Sequence, residues 1–218
     1  MKQSSFKTFS RETRIKITRK GSRFIGVGTS SRQKNDLKSK REELAGEFPK
    51  ATHIAYGSVI VESGRPVERY DNDGEPRGTA GEPILQVIKG KGLSNCTIFV
   101  VRYFGGRELG TGGLSRAYSD TARGVIERGN ILLEKERGRY LISFPYSFTG
   151  KITEIIEKFD EVNVLERNYG REPELEISVP VEIVESFFDR LRSGTAGSVE
   201  IKRIAGSEEG FEREDNRV

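Results

Sequence analysis

Between Gly105 and Gly113 five residues are glycine, and what flanks that stretch leaves few folds open. The preceding segment, Thr97 to Phe104, is nearly all apolar, as expected of a strand covered on both faces. After it, Leu114, Ala117, Tyr118, Thr121, Ala122, Val125 and Ile126 fall on one helical stripe, with Arg116, Ser119 and Arg123 on the other face. A buried strand that turns through glycines into an amphipathic helix belongs to a layered fold of sheet and helices. Glycines let a backbone approach a ligand closely, and the free amides at a helix N terminus favour an anion. Two readings therefore stand for Gly105, Gly106, Arg107, Gly110, Gly112 and Gly113: a cradle for phosphate, or a tightly packed structural turn. The stretch is not a Walker A loop, because no Gly-Lys-Ser/Thr follows, and the spacing and downstream acidic residue of a dinucleotide site are missing. At least one of Gly110, Gly112 and Gly113 is expected to hold a positive φ.

The other segments order themselves around this unit. A polar leader is followed by alternating apolar and basic residues from Arg14 to Lys20 and by an extended Ser22 to Thr29, a hairpin turning at Gly21. Ser30 and Gln33 form a capping-box pattern, which predicts a helix from 31 to 48 with Leu37, Leu44, Ala45 and Phe48 inward. Thr52 to Glu62, rich in β-branched residues, pairs through a Ser63-Gly64-Arg65-Pro66 turn with a segment ending near Tyr70. A second capping box, Thr79 with Glu82, opens a short helix with Ile84, Leu85 and Ile88 inward. From Arg139 the pattern becomes strand, helix, strand, strand, helix, strand, and βαββαβ is the ferredoxin-like order.

With 218 residues the chain is long enough for two cores. The expectation is an α+β protein of two domains, 1–138 and 139–206, with a disordered charged tail at 207–218. Cleavage by protease is expected first between Glu134 and Gly138 or after Gly206.

Charge divides along the same line. Residues 1 to 140 hold 27 Lys and Arg against 16 Asp and Glu, whereas residues 141 to 218 hold 10 against 17, so the halves carry +11 and −7. A basic N-terminal field attracts polyanions, nucleic acid first among them; the plain alternative is a solvated surface. In the helix after the glycines, Arg116 and Arg123 are nearly two turns apart and follow one side, placed to meet successive phosphates or to pair with Asp120 and Glu127. No long apolar run or secretory signal occurs, so a soluble cytoplasmic protein without membrane contact is expected.

One cysteine, Cys96, and one histidine, His53, exclude an internal disulfide and a Cys/His zinc set, and leave little from which to build a Ser/His/Asp or Cys/His centre. Asp71, Asp73 and Glu75 suit a polar turn better than a calcium loop, which needs further ligands and a bidentate Glu at its twelfth position. No cofactor, metal or catalytic residue is expected. In the second domain, the segment 174–179 lacks the aromatics of an RNA-recognition module and the helices carry Glu154, Glu157, Glu182, Glu185 and Asp189; a protein-contact role is expected there.

Asp73-Gly74-Glu75-Pro76 with Gly78-Thr79-Ala80-Gly81, followed by Val101-Arg102-Tyr103-Phe104-Gly105-Gly106, Leu109-Gly110-Thr111-Gly112-Gly113-Leu114 and Ala117-Tyr118, resembles the signature of the YigZ/IMPACT family. Arg23-Phe24-Ile25-Gly26 and Ala51-Thr52-His53 extend the resemblance, which covers about residues 18 to 130. It implies an N-terminal domain similar to the second domain of a small-subunit ribosomal protein and to domains of translation factors and small-molecule kinases. It also implies a ferredoxin-like C-terminal domain resembling one of the ribosomal translocase. Eukaryotic relatives act in translational control during amino-acid starvation through an additional domain, a role that does not carry over by itself; the resemblance, the basic N-terminal surface and the absence of a catalytic set together favour a regulatory protein that contacts RNA or the ribosome. An enzyme or sensor for a small phosphorylated ligand at the glycine loop is the alternative. Carried over by position, His53, Glu75, Arg102 and the glycine loop line one groove. Asn72, where many relatives carry Asp, and Ile54-Ala55, in place of a polar or cysteine-containing stretch, weaken a metal or catalytic reading.

Overall fold

The computed structural model describes residues 5–62, 65–204 and 212–213. Two compact units divide the chain, one up to Leu133 and one from Glu134. The expected boundary at 138 falls inside a strand of the second unit, and the expected cleavage stretch is strand on either side of Glu136, with Glu134 and Arg137 buried.

The first unit begins with β1 (Ser5–Phe9), read from the sequence only as a polar leader although Phe6 and Phe9 are buried. The hairpin β2 (Thr13–Arg19) and β3 (Ser22–Ser30) follows, then α1 (Lys34–Glu47), the pair β4 (His53–Glu62) and β5 (Arg65–Asp71), α2 (Gly81–Gly90), β6 (Cys96–Tyr103) and α3 (Thr111–Arg128). Five strands form an antiparallel sheet in the order β2-β3-β6-β4-β5. Side chains alternate across it. Ile98 and Val100 of β6 join a core with Ile84, Leu85 and Ile88 of α2 and Leu114, Ala117, Tyr118 and Val125 of α3, whereas Phe99 and Val101 join Leu37 and Leu44 of α1 on the opposite face. This double coverage accounts for the unbroken apolar run in β6.

Both capping boxes differ from the expectation. The N-cap of α1 is Gln33, with Asp36 completing the box, so the helix begins three residues later than Ser31, and Ala45 is exposed. At α2 the cap position is Ala80 without a side-chain bond, because Thr79 Oγ1 donates instead to Pro76 O at 2.6 Å. A Thr in a tight turn has a nearer carbonyl to satisfy than the helix amides.

β7 (Ile131–Lys135) spans the division between the units, and the second unit continues with β8 (Arg137–Ser143), a 3-10 turn at Tyr146–Phe148, α4 (Thr149–Glu157), β9 (Asn163–Tyr169), β10 (Pro173–Pro180), α5 (Val184–Gly194) and β11 (Glu200–Arg203). Its antiparallel sheet has the order β11-β8-β10-β9, the arrangement expected of a βαββαβ ferredoxin-like fold. Tyr140, Ile142, Ile177 and Val179 pack against Ile152 and Ile155 of α4 and Phe187, Phe188 and Leu191 of α5. The tail expected from 207 lies outside the described residues except β12 (Glu212–Arg213), which pairs with Lys135 and Glu134 of β7.

Candidate functional site

At the end of β6, Arg102 stands opposite Phe24 of β3 and His53 of β4. By the alternation of the sheet these three residues share the face of Val100 and Ala55, the one covered by α2 and α3. Tyr118 of α3 meets the Phe24 ring edge-on with centroids 5.3 Å apart. Into this layer the turn between β5 and α2 delivers Glu75. Its Oε1 accepts bonds from Arg102 Nη1 at 2.5 Å and from Tyr118 Oη at 2.8 Å, and lies 3.8 Å from His53 Nε2. The side chains of Glu75 and Arg102 are 2% and 6% exposed, and that of His53 is 21% exposed. A carboxylate so deep costs several kcal/mol in lost hydration, on the order of what a bonded guanidinium and phenol return. Burial and the neighbouring Glu75 push the Tyr118 phenol far up, so it stays a neutral donor. Arg102 Nε is buried with no hydrogen-bond partner among the described residues.

The Asp71–Glu75 turn is fixed by its own polar atoms. Asp71 Oδ1 accepts from Asp73 N, Asp73 Oδ2 accepts from Ile54 N, and Arg41 of α1 donates to Asp73 Oδ1. His53 Nδ1 lies 2.6 Å from Asp73 O; since a carbonyl only accepts, Nδ1 carries the hydrogen. These carboxylates are therefore occupied by protein donors, as in a polar turn.

The glycine stretch starts from a rigid base. Phe104 N donates to Thr52 Oγ1 at 3.1 Å and Gly105 N to Ser22 Oγ at 3.0 Å. Gly105 touches the hairpin turn so closely that a Cβ there would lie 1.9 Å from the Gly21 carbonyl carbon. Gly110 has φ 70 and is the N-cap of α3 without a side-chain bond, whereas Gly112 and Gly113 lie in the first turn of that helix. The expectation of a positive φ among these three is met at Gly110, and Gly106 adds another at φ 80.

The four arginines differ in surroundings. Arg102 is buried in the network just described. Arg107 is exposed on the loop and makes no ion pair among the described residues. Arg116 bends back over the first turn of α3, donating from Nε to Gly112 O at 3.2 Å, which sets its charge beside the helix N terminus. Arg123 donates to Asp120 at 3.0 Å, and Arg19 of β2 lies 3.6 Å from the same carboxylate; two cations share one anion. Arg123 also lines a groove of about 540 Å³ between α2 and α3 with Glu82, Gln86, Lys91, Ser115 and Ser119.

Thus His53, Glu75 and Arg102 come together, and the glycine loop leaves the same strand, but Glu75 and Arg102 are buried beneath the surface and none of the three lines the groove between α2 and α3. Sequence reasoning missed Tyr118, which it took only for a core residue, and the supports Ser22 and Thr52, whose neighbours in space are distant in sequence. It also passed over Phe104, half exposed at the root of the loop. An aromatic placed between an arginine and a Gly-Gly pair was the signal available.

The family model described as Impact N-terminal domain matches residues 20–126. IMPACT family member YvyE of Bacillus subtilis is 32% identical over 152 residues, 70% of this chain and 69% of that protein. IMPACT family member YigZ of Escherichia coli is 29% identical over 189 residues, 85% and 91% of the two chains. A crystal structure described as that of a hypothetical protein aligns with a TM-score of 0.67 at 26% identity, covering 94% of this chain and 100% of the other.

Proposed function

The chain belongs to the IMPACT family, and from that premise we propose that it is a translation-linked regulatory protein of the cytoplasm that binds RNA, on the ribosome or free, through phosphates at the glycine-loop face of its first unit. The observation that carries this reading is the start of α3. An 18-residue helix begins at an N-cap with no side-chain bond, its dipole and first amides face outward, and the Arg116 guanidinium is folded onto the same turn. Arg107 adds charge from the loop. Arg123 extends the basic track along the helix, and Arg19 offsets the Asp120 that holds it. In this reading Glu75, His53, Arg102 and Tyr118 hold the loop in place from below, because the network leaves most of their polar atoms turned to one another.

A second reading is favoured by the groove between α2 and α3. Its volume falls in the range of small-molecule sites, and Ser115, Ser119, Gln86, Lys91 and Arg123 supply donors suited to a phosphorylated metabolite. No helix among the described residues is long and apolar enough to cross a membrane.

The two readings separate by salt dependence. RNA binding falls steeply with salt, by about one unit of log–log slope per phosphate contact. Arg116→Ala with Arg123→Ala should weaken RNA binding at low salt and flatten the slope by about two units. Unchanged affinity and slope would remove this face. A thermal shift with nucleotides that is insensitive to salt, beside absent RNA binding, would instead establish the groove.

A further inference from the structure

We infer that Phe104 is a stacking platform for an unpaired base, so that the RNA taken at the glycine loop is single-stranded. The inference rests on the proposed RNA binding and specifies the form of RNA that the face selects.

Phe104 is 50% exposed in a unit whose other described phenylalanines are buried, at positions 6, 9, 24 and 99, or partly buried against the core, at position 48. Leaving such a ring in water forgoes about 1.5–3 kcal/mol relative to burying it. Its exposure does not come from a loose loop. Thr52 Oγ1 accepts from its own amide, Ser22 Oγ accepts from the next one, and Gly105 is wedged against Gly21. The backbone beneath the ring is therefore tied to the first residue of β3 and to the residue before β4, so little ordering remains to be done when a ligand arrives.

The ring has two different sides. The Arg102 guanidinium lies over it at 5.6 Å from the centroid, and the same guanidinium lies 5.6 Å from the buried Phe24 ring. Arg102 cannot swing away, since Glu75 holds its Nη1. A fixed cation thus backs one face of Phe104 and leaves the other for a ligand. A flat π system of any base identity fits there, as on the aromatic platforms of single-strand binders. In a duplex the base faces are occupied by their neighbours, so a protruding phenyl finds no partner. Directly after the ring, the chain runs through Gly106 and Arg107 to the N terminus of α3, the phosphate-seeking end proposed above. Base and backbone recognition therefore adjoin on one loop.

The test uses the full chain and two fluorescent RNA probes, a single-stranded oligouridylate and a blunt duplex with the same number of phosphates. Wild type should bind the single strand more tightly. Phe104→Ala and Phe104→Leu should each weaken it by about 5-fold to 100-fold, leave the salt slope unchanged because no phosphate contact is lost, and leave duplex binding unchanged. Phe104→Trp should restore single-strand binding. Leucine keeps apolar cover over Arg102 but has no π face, so single-strand binding by Phe104→Leu equal to wild type would overturn the inference and mark the ring as a shield for the Arg102–Glu75 pair. An equal loss on both probes would also overturn it. If wild type binds neither probe at low salt, the RNA reading itself falls. If wild type binds and Phe104→Ala binds equally well, only the platform falls.

Discussion

The two units place their buried polar groups to different ends. In the second, the buried Arg137 serves the sheet: its guanidinium donates to Ser178 Oγ and Ser178 O, both 2.8 Å away, bracing β8 against β10. In the first, Arg102, Glu75 and Tyr118 gather under a loop that emerges into solvent, with His53 partly open beside them. The charge balance parallels this, basic before residue 140 and acidic after it. Both units are apolar cores with a few buried polar groups; Arg137 in the second also donates to Glu161 O in the turn between α4 and β9, whereas in the first a buried ion pair, Arg102 with Glu75, lies at the root of the glycine loop. In the proposed function that costly pair serves to hold the glycine loop in place.

The sharpest way to break the comparison is Glu75→Ala. It leaves the Arg102 charge and the Tyr118 hydroxyl buried without their acceptor, and loss of one partner of a buried pair typically costs about 3–5 kcal/mol. Differential scanning calorimetry should show the transition of the first unit falling by about 10 °C or more, with that of the second unmoved. A common shift of both transitions would show that the network is not local to the first unit.

A smaller effect comes from glycines. Gly105→Ala must push apart two backbones that a Cβ would approach to 1.9 Å, at a cost of about 1–3 kcal/mol, comparable to overpacking a core. In the second unit, Gly150 in α4 has nothing within 4 Å of its Cβ position, so Gly150→Ala should be neutral or stabilise by up to about 1 kcal/mol. Chemical denaturation of the two variants measures both. Equal effects would mean that the loop is no more tightly built than a surface helix.

Much of this arrangement was readable from the chain because period and burial agree. The apolar run of β6, the stripe of α3 and the βαββαβ order follow directly from side-chain spacing, and the family signature already pointed to His53, Glu75 and Arg102 as neighbours. What escaped depends on contacts remote in sequence. β1 looked polar because its burial rests on Phe6, Phe9 and the polar Thr8. Boundary residues 134 to 137 looked like a linker because their charge is visible in sequence and the burial of Glu134 and Arg137 is not. Gly112 and Gly113 looked like loop because glycine is a poor helix former, yet they sit in the first turn, where fewer intrahelical bonds depend on them. The Phe104 platform was hidden because an aromatic beside an apolar strand reads as core.

The central claim, that the first unit alone presents a built RNA-binding face at its glycine loop, is tested most directly by hydrogen–deuterium exchange of the full chain with and without a single-stranded oligouridylate. The account predicts slowed exchange from Phe104 through Arg116, reaching along α3 to Arg123, with amides of β8 to β11 unchanged. Protection in the second unit, or none at the start of α3 at RNA concentrations that saturate binding, would contradict it.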